Sequence, residues 1–171
     1  MASWTIDDPI VVDGVKTAKL RGYAQELDPF DLSECIVHRG PDIENPERLE
    51  LELPHASAAE IVAAIDTFAL ACLASNAQRF FDEPLSPAQV QARYRSALVS
   101  LGGDHPLLMA RLGATAPCVQ LLDLPDSRPR EWEGLAVNPH FDISSLWFTA
   151  DACGLDVEVL ELEYDFRMYA W

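Results

Sequence analysis

The stretch from Ala58 to Ala74 constrains this chain more than any other segment. It carries only two charges, Glu60 and Asp66. It falls short of the usual length of a membrane span, has no flanking Lys or Arg, and places an acid at mid-span, where a charge is expensive. Ser57-Ala58-Ala59-Glu60 just before it reads as a capping box: the Ser side chain takes a backbone N–H and the Glu reaches back to the cap. The segment is therefore expected to be a helix running to about Phe80. A helix apolar nearly all round is buried on most faces, which places it at the centre of the fold.

The flanking segments read mainly as strands. Asp13-Gly14 stands between Val11-Val12 and Val15-Lys16 and predicts a two-residue hairpin turn. Ser3–Ile6, Ile10–Val12, Val15–Tyr23 and Glu34–His38 are expected strands, with Arg39-Gly40-Pro41-Asp42 as the turn after the last of them. Residues 48–53 alternate strictly, with Leu49, Leu51 and Leu53 on one face and Arg48, Glu50 and Glu52 on the other. That is the pattern of a sheet with one wet side. Ser86-Pro87-Ala88-Gln89 is a second capping box, opening a helix that Gly102-Gly103 stops. A third helix is expected from His105 to Leu112, and a fourth from an Asp142 cap to Gly154. The alternation from Leu160 to Met168 closes the chain as a strand, with a slip in phase at Val159–Leu160 that suggests a β-bulge. The fold class expected is α+β: a mainly antiparallel sheet packed against a central buried helix with additional helices. A chain of 171 residues fits a single domain over 1–171.

Charge is the outlier in composition. The net charge is −16. It divides as −7 over residues 1–56 (12 acids, 5 bases), −1 over 57–116 (5 acids, 4 bases) and −8 over 117–171 (11 acids, 3 bases). The β-rich flanks thus hold the acid. Such a field repels nucleic-acid phosphate and anionic membranes and favours a basic partner. The sequence therefore predicts no nucleic acid and no membrane among its partners. If the flanks form one sheet, Glu50, Glu52, Glu158, Glu161, Glu163 and Asp165 line its wet face, and Asp42, Glu44 and Glu47 extend it. These nine acids are the expected partner-binding surface.

Catalytic signatures are sparse. Gly102-Gly103-Asp104-His105 resembles the Gly-Gly-Asp-His segment of the manganese ureohydrolases, whose His ligates metal. The resemblance covers about a dozen residues. The family's second motif needs a His that Leu122–Asp126 lacks, and its third needs an acid where Cys153 stands. A helix stop followed by an Asp cap accounts for the same residues. His140-Phe141-Asp142 would put a His and an Asp on one face of a strand, which suits a metal or a general base with its orienter. Cys35, Cys72, Cys118 and Cys153 stand singly, with no Cys-x-x-Cys pair. The first fourteen residues lack a basic leader and carry Asp7, Asp8 and Asp13, so the cytoplasm is the expected compartment.

The function expected on this reading is an acidic inhibitor that neutralises a basic protein partner, either a toxin or an enzyme. A bacterial immunity protein is one form of it. No cofactor, metal or catalytic residue is assigned, and the oligomeric state is left open. The alternative is a small metal-dependent hydrolase using His105, His140 and Asp142. Trp4, Trp132, Trp147 and Trp171 are spread along the chain, and an exposed Trp would be typical of a binding hot spot.

Overall fold

A computed structural model describes residues 4–22, 30–31, 34–120 and 128–164 of the chain. Among them are twelve strands and three helices, and the chain divides into two compact units. Unit 1 comprises Met1–Asp28, Ile61–Ala97 and Ile143–Asp156; unit 2 comprises Pro29–Glu60, Leu98–Asp142 and Val157–Trp171. Strands dominate, and the sheet is mixed. The expected α+β arrangement around a central helix is thereby corrected.

In unit 1, strand β1 (Thr5–Ile6), β2 (Ile10–Val12) and the end of β11 (Ala136–Phe148) all pair antiparallel with β3 (Val15–Arg21). The β2–β3 turn forms as the sequence predicts. Asp13 has φ 51° and Gly14 φ 80°, the left-handed pair that a two-residue hairpin requires. Helix α1 (Ala56–Ser75) begins one residue before Ser57, so that Ser lies inside the first turn and does not cap it. Asn76 then separates α1 from the short α2 (Ala77–Phe80). Helix α1 buries a single stripe: Ala58, Val62, Ile65, Ala69 and Leu73. Its exposed side holds Ala63, Ala64 and Ala71. Alanine counts as apolar in composition but loses little when it faces water, and this is why the segment reads as more buried than it is. The helix is long and apolar enough to cross a membrane by length and composition alone.

The second capping box is present. Ser86 accepts from the Gln89 N–H and the Gln89 side chain accepts from the Ser86 N–H, with Pro87 opening α3 (Pro87–Arg93). The helix stops at Arg93, well before the expected Gly102-Gly103 signal, and β7 (Tyr94–Arg95) follows it. Buried Asp66 explains the early stop. It accepts from the Tyr94 hydroxyl at 2.5 Å, from the Ser96 hydroxyl and from the Ala97 N–H at 3.2 Å. Burial is the main cause, with Asp66 second, that raises the Tyr94 pKa well above that of a free phenol. The residues after Arg93 thus trade helical bonds for a carboxylate anchor.

Unit 2 is organised around five strands. β5 (Cys35–Arg39) pairs antiparallel with β6 (Arg48–Glu52), and β6 pairs antiparallel with β9 (Leu107–Leu112). β9 runs parallel to β12 (Cys153–Tyr164), and the start of β11 pairs with β5. Because β12 also pairs with β11, the order β11-β5-β6-β9-β12 closes on itself as a five-strand ring. β4 (Phe30–Asp31), β8 (Leu98–Val99) and β10 (Cys118–Gln120) attach to β11, β9 and β12.

Two expected helices are strands. His105–Leu112 is rich in helix formers, but β9 makes a five-residue ladder with β6 and pairs β12 on its other edge. Pairing on both edges overrides local propensity. Residues 142–154 hold the end of β11, the start of β12 and the four-residue connection between them. Val137, Pro139, Phe141 and Ile143 alternate as buried residues, and the phase slips at Ser144–Ser145. In β12 the slip expected near Val159–Leu160 falls at Leu160–Glu161, where both residues are exposed between buried Val159 and Leu162. There the strand passes from β9 to β10 as its neighbour.

Candidate functional site

The segment joining β5 to β6 is built by its own polar groups. Asp42 Oδ1 accepts from the N–H groups of Glu44 (2.9 Å) and Asn45 (2.7 Å), and the Asp42 N–H donates to the Asn45 carbonyl. The Asn45 bond is the largest of the influences that lower the Asp42 pKa. Ile43 is left fully exposed at the tip. At the base of this segment Gly40 is buried under Trp132: a Cβ on Gly40 would lie 2.2 Å from both Cβ and Cγ of the indole. Only glycine allows that approach.

Trp132 is held there by a turn. Gly134 has φ 81°, and the Leu135 N–H donates to the Trp132 carbonyl at 3.1 Å. Two more bonds tie the turn to β5, from Gly134 N–H to the Val37 carbonyl (2.7 Å) and from Val37 N–H to the Leu135 carbonyl (2.9 Å). A groove results, lined by Trp132, Arg39, Gly40 and Pro41, with Asp42, Glu131 and Glu133 at its rim. The indole is half-buried and Arg39 is exposed. Among the described residues, the guanidinium groups of Arg39 and Arg130 make no hydrogen bond or ion pair, and the charge of Arg39 helps to lower the Asp42 pKa. The other described arginines of unit 2 are paired: Arg48 with Glu50, Arg111 with Glu47 and Glu158, and Arg128 with the Gly113 carbonyl.

The nine acids of the expected binding surface are placed unevenly. Asp42 and Glu44 are exposed in the β5–β6 segment, where Asp42 is occupied by its own backbone. Glu50 is buried at 5% exposure against Arg48, and Glu52 is half-buried. Glu47 and Glu158 flank Arg111 at 3.9 and 3.2 Å. Glu161 is exposed and Glu163 half-buried on β12, while Asp165 lies outside the described residues. Three of the acids are therefore interleaved with arginines.

The alternative metal site is not assembled. His105 is exposed in the bend before β9, whereas His140 and Asp142 lie two residues apart on β11. No group of three potential ligands that could hold a metal occurs among the described residues. Gly102, with φ 81°, turns the chain between β8 and β9, so the Gly-Gly-Asp-His segment is a strand connection. None of the four cysteines is in a disulfide. Burial pushes the Cys35 thiol up to about 12 and the Cys153 thiol to about 11, which disfavours the nucleophilic thiolate.

No family model matches the chain, and no curated protein does. Among solved structures it is similar to a single-stranded DNA-binding protein from bacteriophage Enc34. The TM-score is 0.53 at 11% sequence identity, over 94% of this chain and 89% of that one. What the two share is the fold. This likeness overturns the expectation of a toxin-neutralising inhibitor or immunity protein acting on a basic partner, and with it the exclusion of nucleic acid. The physical error lay in using a whole-chain charge as if it were local. Much of the cation content of unit 1 is spent in pairs internal to it: Lys16 with Asp82, Arg21 with Asp7, Arg79 with Asp8 and Arg93 with Glu83. Among the described residues of unit 2, exposed Arg39 lines the aromatic groove and exposed Arg130 precedes its Glu131 in sequence.

Proposed function

We propose that the chain binds single-stranded nucleic acid through the Trp132–Arg39 groove of unit 2. The observation that carries this reading is a half-buried indole clamped over Gly40 in a groove that the exposed Arg39 also lines. Single strands are held by base stacking on aromatic side chains, with arginine adding phosphate and cation–π contacts. The fold likeness supports the reading. The strand order does so as well. Small five-stranded barrels of the OB class bind oligonucleotides on the face of their second and third strands and on the loop joining the first two. Here β5, β6, β9, β11 and β12 are the ring strands in chain order, so the Gly40–Glu47 segment is that loop and β6–β9 that face.

Stacking explains how so acidic a chain could bind a polyanion, because a stacked base is uncharged. Two phosphate contacts, from Arg39 and Arg130, give an affinity that falls with salt at a logarithmic slope of only about −1.4. The test is fluorescence anisotropy with a labelled single-stranded 20-mer and its duplex at low salt. Saturable binding of the single strand in preference to the duplex is expected. Failure to bind either would refute the proposal.

A further inference from the structure

The outer face of β6, β9 and β12 carries a row of charge that the groove does not use. Arg48 stands directly opposite Arg111 across the β6–β9 ladder, and Arg111 stands opposite Glu158 across β9–β12. Directly opposed like charges destabilise a sheet unless anions offset them. Carboxylates do so here: Glu50 against Arg48, and Glu158 (3.2 Å) and Glu47 (3.9 Å) against Arg111. A second groove runs beside the pair, lined by Pro46, Glu47, Arg48 and Arg111. It starts from the same β5–β6 segment whose other end forms the Trp132 groove.

We infer that Arg48 and Arg111 form a phosphate subsite masked by Glu158 and Glu47, which a strand leaving the Trp132 groove must displace to reach. This inference rests on the single-strand-binding reading and adds a regulated second contact to it. The Glu158 pair is partly exposed on both sides, and the Glu47 pair is at the limit of ion-pair distance. Both are cheap to break, because exposed pairs contribute little. A phosphate offers two oxygens to the guanidinium fork in place of these carboxylates. Glu50 is buried and remains with Arg48. The acids thus lower affinity without closing the site.

The experiment measures the affinity of the single-stranded 20-mer for the full chain and for Glu158→Gln, from about 0.05 to 0.5 M salt, across the range where counterion release dominates. Unmasking adds one phosphate contact, worth a slope change of about −0.7 and a gain of about five-fold at 0.1 M salt. Glu60→Gln makes the same change of net charge outside the row and is expected to change little. Placing Glu158→Gln on an Arg111→Gln background removes the gain. A Glu158→Gln variant that behaves like Glu60→Gln, or whose gain survives without Arg111, overturns the masking while the Trp132 reading stands. A wild-type chain that binds no single strand overturns both.

Discussion

Removing the indole at position 132 should weaken single-strand binding more than any other single truncation in unit 2. Trp132 lies over Gly40, with Arg39 and Pro41 in the same groove, and on the proposed reading one base stacks on the exposed part of the indole. Base–aromatic stacking is worth about 1–3 kcal/mol per base by alanine substitution. That converts to a loss of about 5- to 160-fold in affinity. Trp132→Ala also uncovers Gly40, so the variant must first be shown to melt cooperatively. Trp132→Phe keeps a smaller ring and should recover part of the loss. The assay is anisotropy of the labelled 20-mer at fixed low salt, read alongside the melting curve. A change under about two-fold in a folded Trp132→Ala protein would show that the groove does not carry the stacking assigned to it.

Other outcomes follow from the packing. Gly40→Ala puts a methyl 2.2 Å from the indole, so the ring must move; it should lose stability by about 1–3 kcal/mol and affinity together, read by denaturant melts and anisotropy. Gly154→Ala meets the Arg95 carbonyl at 2.6 Å and Trp147 at 3.1 Å in unit 1; a denaturant midpoint equal to wild type would contradict that close approach. Asp66→Ala leaves the Tyr94 and Ser96 hydroxyls and the Ala97 N–H without their acceptor and should cost about 2–5 kcal/mol in chemical denaturation. Cys35 is held neutral by burial, with a folded pKa of about 12 against 9.0 for the free thiol. A raised folded pKa contributes stability that is fully present below pH 9.0 and declines as the pH rises towards 12. Thiol labelling of the native chain should accordingly start at half-buried Cys72, with Cys35, Cys118 and Cys153 slower by mass spectrometry.

Local chemistry is what the sequence made legible. The Asp13-Gly14 hairpin, the Ser86 capping box and the slip in β12 each depend on residues within a few positions of one another. What stayed hidden depends on distant partners. Leu107–Leu112 forms a strand because β6 and β12 bracket it, not because its residues prefer extension. Glu50 looks like a solvent-facing acid in the alternation, yet it is buried against Arg48. The site was half visible. Arg39-Gly40-Pro41-Asp42 reads as a turn, whereas Arg39 still belongs to β5 and the chain bends at Ile43-Glu44 and turns at Pro46-Glu47; Trp132 stands out as one of four tryptophans. Nothing local says that the indole covers Gly40, because that contact links the end of β5 to the approach of β11. Net charge misdirected the functional reading, since it sums acids spent in ion pairs with acids that face solvent.

Photocrosslinking tests whether a bound single strand lies against Trp132. A single-stranded oligonucleotide carrying 5-iodouracil, irradiated with the protein at low salt, is digested and the adduct mapped by mass spectrometry. A principal adduct on Trp132 is expected, suppressed by excess unlabelled single strand and not by duplex. An adduct located only outside the Arg39–Asp42 and Glu131–Glu133 segments, or none under conditions where the strand binds, would contradict it.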